Sequence, residues 1–587
     1  MPLHQFYKLS FWILFLFAAK TGAAQVQPTP VADTASKLIQ IIRANNFRQK
    51  TIDSATTLVT LAGNAVVKQG NTLISGDSIV VNQLTGIAEV FGNVHINDAD
   101  SVHTYAQYLK YVGNERMAYL KKNVKLTDGK AVLTTNELEY NIQTGIAKYS
   151  KGGKVINGTT VLTSEDAVYY SDTKDVFFKK AVHLVDPKSD IVADSLRYNT
   201  YFKEAYFISP TRIKTKSGII NTSSGTYNIE TGESIFLNRT SFSDSTHFMS
   251  GDRIASDEKS GIVQIEGRGK LVDSVNNVIV LADFILIDRN KNSFLASRKP
   301  VMILYKNNDS TYIAADTLFS GMKKYDTLQR RNLEVSDTLT KNAGIDSTIT
   351  VSDSLQQRRL MNISLQRDSS IRKAPVADST IKDTLINKTT AINISASKDS
   401  IRYFIAFHHV RIFNDSLQAV SDSLHYSTED STFKLFQDPV FWNDKTQVSG
   451  DTMYLFTENQ KAKRLYVFNN GLVINRTREG LFNQMGGRTI NGYFKDGDID
   501  YIRIKGTPAE SIYYPQDDDS AYVGMNRSSG DVIDIYFIKK ELNKVKFIND
   551  VNGTMYPLNQ IPDDMKFLKK FNWMDKRRPK NKLELFE

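Results

Sequence analysis

A chain of 587 residues, 41% hydrophobic and 10% aromatic, has the composition of a folded protein. It exceeds what one ordinary core serves, so several domains or a repeat array are expected. Cysteine is absent, which excludes disulfides, thiolate metal sites, a cysteine nucleophile and a lipid-modified N-terminal cysteine. The net charge of +10 favours anionic partners in general and singles out none, and the basic residues are dispersed except from Lys566 to Lys582, so no nucleic-acid surface is indicated.

In chain order, the first element is a processing signal over residues 1–24. His4 and Lys8 precede the apolar run Phe11–Ala19, and Gly22, Ala23 and Ala24 supply small residues before a cut at Gln25. The run is too short to span a membrane and reads as a secretory signal peptide. No second apolar run of 18 or more residues follows, so the mature protein is expected to be soluble or peripheral to a membrane. Residues 25–53 form a lead-in.

From residue 54 to 321 one short phrase returns. SGDSIVVN begins at Ser75, TTNELEYN at Thr134, ADSLRYN at Ala193 and SSGTYN at Ser223. Anchored on Asp77, equivalent positions fall at Gln107, Asn136, Glu165, Asp194, Ser223, Asp252, Asp283 and Asp316, close to 30 residues apart. A fixed period of that size marks a stacked repeat architecture. Three positions before the anchor stand Ile74, Leu133, Leu162, Ile191, Ile220 and Met249, with Thr104 as the polar exception. Two positions after it stand Leu109, Leu138, Leu196 and Ile254, with Ala167 and Gly225 as small members. Four positions after it, five successive repeats place Tyr111, Tyr140, Tyr169, Tyr198 and Tyr227.

These columns carry geometry. Positions −3 and −1 share one strand face before the anchor, while +2 and +4 form the apolar pair after it, so the inward phase slips by one residue. A strand that keeps one face inward through such a slip must bend or bulge there. Val, Ile, Thr and Tyr dominate, and helical periodicity is not evident. Each repeat is expected to hold one bent strand flanked by shorter ones such as Ala65–Lys68 and Ile87–Phe91. Stacking then aligns the columns into inner ladders, which read either as sealed core or as the lining of a groove between two walls. The recurring acidic or amide anchor reads as a corner-former, because catalysis needs one constellation and not nine equivalents.

Residues 322–400 are rich in Ser, Thr, Asp, Asn and Lys and read as a flexible insertion. The repeat returns over 401–479, with Asp422 and Asp451 as anchors. Residues 480–560 carry Gly, Asn and Asp turn signals between alternating strands and are expected to form a C-terminal β module that caps the array. The tail, 561–587, mixes aromatic and basic groups in a helical or irregular form. No catalytic residue, metal ligand or cofactor motif emerges: HExxH, a Gly-rich phosphate loop and GxSxG are all missing. The pair His408–His409 reads as part of a strand, and Asp517-Asp518-Asp519 as a solvated loop.

The unit GNAVVKQGNTLISGDSIVVNQLTGIAEVFGNV, Gly63 to Val94, resembles the OstA/LptA-type repeats of lipopolysaccharide transport. The resemblance covers residues 54–320 well and 401–468 less well. The C-terminal stretch, with FNQMGGRTINGYF and SIYYPQDDDSAYVGMN, is similar to longer OstA-like proteins of the Bacteroidetes type. It implies an all-β, repeat-built, taco-like β-jellyroll of bent antiparallel strands with a C-terminal β module. It further implies a non-enzymatic periplasmic protein that shields the acyl chains of lipopolysaccharide, or a related anionic glycolipid, on the ladder residues named above. Partners would be other transport proteins meeting it through sheet edges, with association at the outer membrane. The other reading is a structural scaffold of the cell envelope with a sealed core.

Overall fold

The computed structural model describes residues 39–52, 57–306, 309–324, 400–458, 461–478, 480–495, 498–517, 521–538 and 541–586. The signal peptide and nearly all of the Ser/Asp-rich insertion lie outside the described residues. Two compact units are present, Met1–Lys216 and Ser217–Glu587. Both are built from antiparallel strands that pair mainly with their neighbours in sequence. Among the described residues no helix is long and apolar enough to cross a membrane.

In the first unit the early repeats are hairpins of two long bent strands, and from Ile146 some halves are separate short strands, such as Ile146–Tyr149 and Gly153–Asn157. The strand Thr72–Asn82 turns Thr72, Ile74 and Gly76 inward before Asp77, then Ile79 and Val81 after it. The phase slip legible in the sequence is therefore a bend shared by both walls. The expected short flanking strands are instead halves of equally long bent ones: Ala65–Lys68 belongs to Thr57–Gln69, and Ile87–Phe91 to Ile87–Asp98. A corner needs an extra residue on one strand of each pair, and the strand either bends there, as Thr72–Asn82 does, or breaks into two short strands, as between Tyr149 and Gly153.

The corner itself is a bulge in which Asp77 faces both Gly63 and Asn64. Two successive residues there adopt positive φ, as Gly63–Asn64, Gly92–Asn93, Lys122–Asn123 and Lys180–Ala181. Left-handed backbone comes easily to Gly and at low cost to Asn, and less easily to Lys or Ala. Gly92 has a second reason, because a Cβ there would sit 2.2 Å from the Asp77 carboxylate.

The anchors hold these corners. Asp77 accepts two hydrogen bonds of 3.0 Å from the Asn93 amide. In the second unit Asp252 takes the Arg268 guanidinium at 2.6 Å, Asp451 the Asn470 amide at 2.9 Å, and Asp422 and Asp316 the rings of His408 and His409. The histidine pair thus lies in a strand, at its left-handed corner. In one repeat the role moves by a residue: Asp166, not Glu165, pairs with Lys180 at 2.7 Å. The Asn that closes each repeated phrase is a turn residue. Asn82 Oδ1 accepts from the N–H groups of Leu84 and Thr85 at 3.1 Å, and Asn199 and Asn228 repeat the motif.

In the second unit, the strands Lys461–Arg478, Leu481–Lys495, Asp498–Tyr513 and Gly524–Ile538 pair in the same order and bend at mid-strand bulges. Outside the apolar interior, Asp534 is only 2% exposed and receives both arms of Arg503 at 2.8 Å and the Tyr501 hydroxyl at 2.6 Å. The tail is irregular, with three short 3-10 turns among its described residues.

Candidate functional site

Fourteen of the fifteen ladder residues are buried, and Ile220 is half-buried. Within the first unit, Ile74, Leu133, Leu162 and Ile191 face inward from one wall, and Leu109, Leu138, Leu196 and the tyrosines from the other. The sequence could not reveal how the mouth between the walls is closed. Four of the ladder tyrosines reach across it to a polar side chain 41 or 42 residues away. Tyr111 donates to Gln69 Oε1, Tyr140 to Asp98 at 2.8 Å, Tyr169 to Asp128 at 2.8 Å, and the Asn157 amide donates to Tyr198 at 3.3 Å. Gln69, Asp98 and Asn157 end their strands, and Asp128 follows the end of one. The column thus forms a seam of latches opposite the corners.

The packing behind the seam is incomplete at one level. A small cavity of about 20 Å³, room for about one water molecule, is lined by Leu126, Leu133, Tyr149, Val155, Tyr169 and Val176, with Ala131, Ala147 and Ala167. The room follows from Ala167 standing where neighbouring repeats carry Leu138 and Leu196. Its polar end is Asp128 with Thr200. Lys174 lies 3.7 Å from the Asp128 carboxylate, and the Lys130 ammonium sits 3.6 Å above the Tyr201 ring. Tyr201 and Phe202 are 56% and 61% exposed, an apolar lip beside the residue that lines the cavity. The cavity thus has an apolar interior with Asp128 and Thr200 at its polar end, and Lys174, Lys130 and the exposed Tyr201–Phe202 pair lie beside that end. Neither the rim lysines nor the lip stands out in the sequence; the only signal there is the small residue at one ladder position.

Burial works to raise the Asp128 carboxyl. The N–H groups of Ala131 and Lys130, the Tyr169 hydroxyl and Lys174 outweigh it and hold the group below its usual range. Burial pushes the Tyr111 and Tyr149 hydroxyls up to about 12. Tyr140 and Tyr169 are raised further, by burial and then by the facing Asp98 and Asp128. A folded-state value above the unfolded value of about 10 contributes stability that is complete below pH 10 and lost as pH rises through the folded values. The first unit should therefore lose stability to urea between about pH 10 and 12. A Tyr140→Phe, Tyr169→Phe chain, compared by urea midpoint at pH 8 and pH 11, should show a smaller loss. An equal loss in both chains would remove the seam tyrosines as its cause.

Fold and site together define an all-β repeat protein whose two walls enclose an apolar interior behind a hydrogen-bonded seam. The model of the OstA-like protein family matches residues 36–194. No curated protein matches the chain. Among solved structures, LptH, the LptA-homologous periplasmic component of the lipopolysaccharide transport device of Pseudomonas aeruginosa, matches at 14% identity with a TM-score of 0.17. That match covers 18% of this chain and 80% of that one, a likeness too small to argue from.

Proposed function

We propose that the protein is a periplasmic carrier that shields acyl chains of lipopolysaccharide, or of a related anionic glycolipid, between the two walls of its first unit. The observation that carries this reading is the apolar cavity at Ala167: Lys174 lies beside its Asp128, and Lys130 sits over Tyr201, the neighbour of its Thr200. An acyl chain entering it gains about 0.8 kcal/mol per methylene removed from water, and needs no catalyst. The lysines would meet phosphate or carboxylate on the head group. The OstA-like match over this unit supports the lipid class. Protein partners would add to the exposed edge strands Gln40–Arg43 and Asn46–Thr51, which among the described residues pair on one side only.

The burial of the ladder favours a second reading, a sealed envelope scaffold. A photo-crosslinking residue placed in living cells at Ala167, Tyr140, Leu196 or Ile191, with the exposed Lys154 as outward control, separates the two. Lipopolysaccharide adducts at the inner positions and none at Lys154 are expected. A folded, exported protein without adducts at any inner position would leave the scaffold.

A further inference from the structure

The C-terminal tail crosses the outer face of the second unit as a strap. Its backbone is read by buried glutamines. Gln484, fully buried, donates its amide to the Lys566 carbonyl at 2.9 Å and accepts from the Leu568 N–H at 2.8 Å. Gln447, also fully buried, treats Asn572 and Met574 the same way, at 2.7 Å for each bond. The Trp442 indole N–H steadies the Gln447 carbonyl at 3.2 Å. Each amide thus does what a strand edge does for an extended neighbour: it gives one donor and one acceptor to residues two apart. A third glutamine, Gln418, is 4% exposed and takes the Arg578 guanidinium at 2.6 and 2.8 Å. Arg411 closes the far end on the Glu584 carbonyl at 2.7 Å.

Between these bonds the strap sets apolar anchors. Leu568 enters the cluster of Leu472, Ile474, Ile512 and Met525. Met574 packs on Val420, Val440 and Trp442, and Leu585 on Val301, Ala314 and Phe413. The hydrogen bonds named above reach 82 to 173 residues back along the chain, so the segment runs against the order of the repeats. It binds its own chain as a peptide ligand would bind: backbone pairing for affinity, separate pockets for side chains.

We propose that Lys566–Phe586 is a separable clamp, docked in cis on a backbone-reading glutamine track that is a binding site for an extended peptide. Its release bares Trp442, Val420 and Val440 on the outer face while the walls beneath stay paired. The inference is independent of lipid carriage, because its site lies within the second unit alone.

The test uses the full chain with a protease site introduced at Leu558–Gln560, cut after folding. A fluorescent peptide of residues 558–587 is then added in excess. Exchange of the label into the cut chain and not into the uncut chain is expected. The double variant Gln447→Leu, Gln484→Leu should retain the label at least tenfold less well. Hydrogen exchange of the strands from 417 to 538 should remain protected once the strap has left. Loss of that protection would make the strap part of one indivisible core and overturn the proposal. So would failure of the label to exchange into the cut chain, or equal retention by the glutamine variant.

Discussion

Ala167→Leu is expected to lower lipid capture at least tenfold while leaving the first unit folded. The position is 4% exposed and lines the opening behind the seam. Leu adds three carbon groups to a space that already exists, where filling costs less than it would in a packed core. By about 0.8 kcal/mol per buried methylene the filled site gains about 2 kcal/mol in folding, less any local strain. The same atoms occupy the volume that an acyl chain would take. Binding of a fluorescent fatty-acyl probe and the urea midpoint check the two halves together. Unchanged capture with a raised midpoint would make the opening a packing defect and place the lipid elsewhere.

Leu138→Asp is expected to unfold the first unit outright. Leu138 is 2% exposed and pairs across the strand with the buried Leu120. Removing a buried leucine side chain alone costs about 2–5 kcal/mol, and an unpaired carboxylate in its place adds several more. Against a total stability of about 5–15 kcal/mol, little remains. Lys154→Asp, on the outer face of a nearby strand, should stay within about 0.5 kcal/mol of the parent. Circular dichroism and limited proteolysis distinguish them. A folded Leu138→Asp chain that merely lost lipid would show that the ladder is an open groove along its length. The pair of substitutions therefore maps where the interior is sealed and where it is open.

Much of this architecture was legible in the columns. Alternation broken at a fixed point predicted a bend at Asp77, and the structure puts the bulge there. The inward faces of Ile74, Leu138 and Tyr140 followed from the same phase. The acidic anchor as a corner residue was also readable, although its partners were not. Gly63–Asn64 and Gly92–Asn93 announce left-handed backbone, whereas Lys122, Lys180 and Ala181 adopt it against their own preference. The ladder of repeats above and below imposes the corner on them, because a straight strand in the stack would lose its pairing on both sides. The expectation of short flanking strands failed at Ala65–Lys68 and Ile87–Phe91, which are halves of longer bent strands, while short strands do occur further on, as at Ile146–Tyr149.

By itself, then, the sequence determined the all-β class, the period, the inward columns and the turn residues, since alternation and turn chemistry act between residues a few positions apart. Tertiary structure decided the rest. The latches join Tyr140 to Asp98 and Tyr169 to Asp128 across two walls, at separations no local pattern records. The opening at Ala167 exists only because side chains from several strands leave the same space unfilled. The strap finds Gln447 and Gln484 through its backbone carbonyl and N–H groups, which every residue carries and no sequence displays.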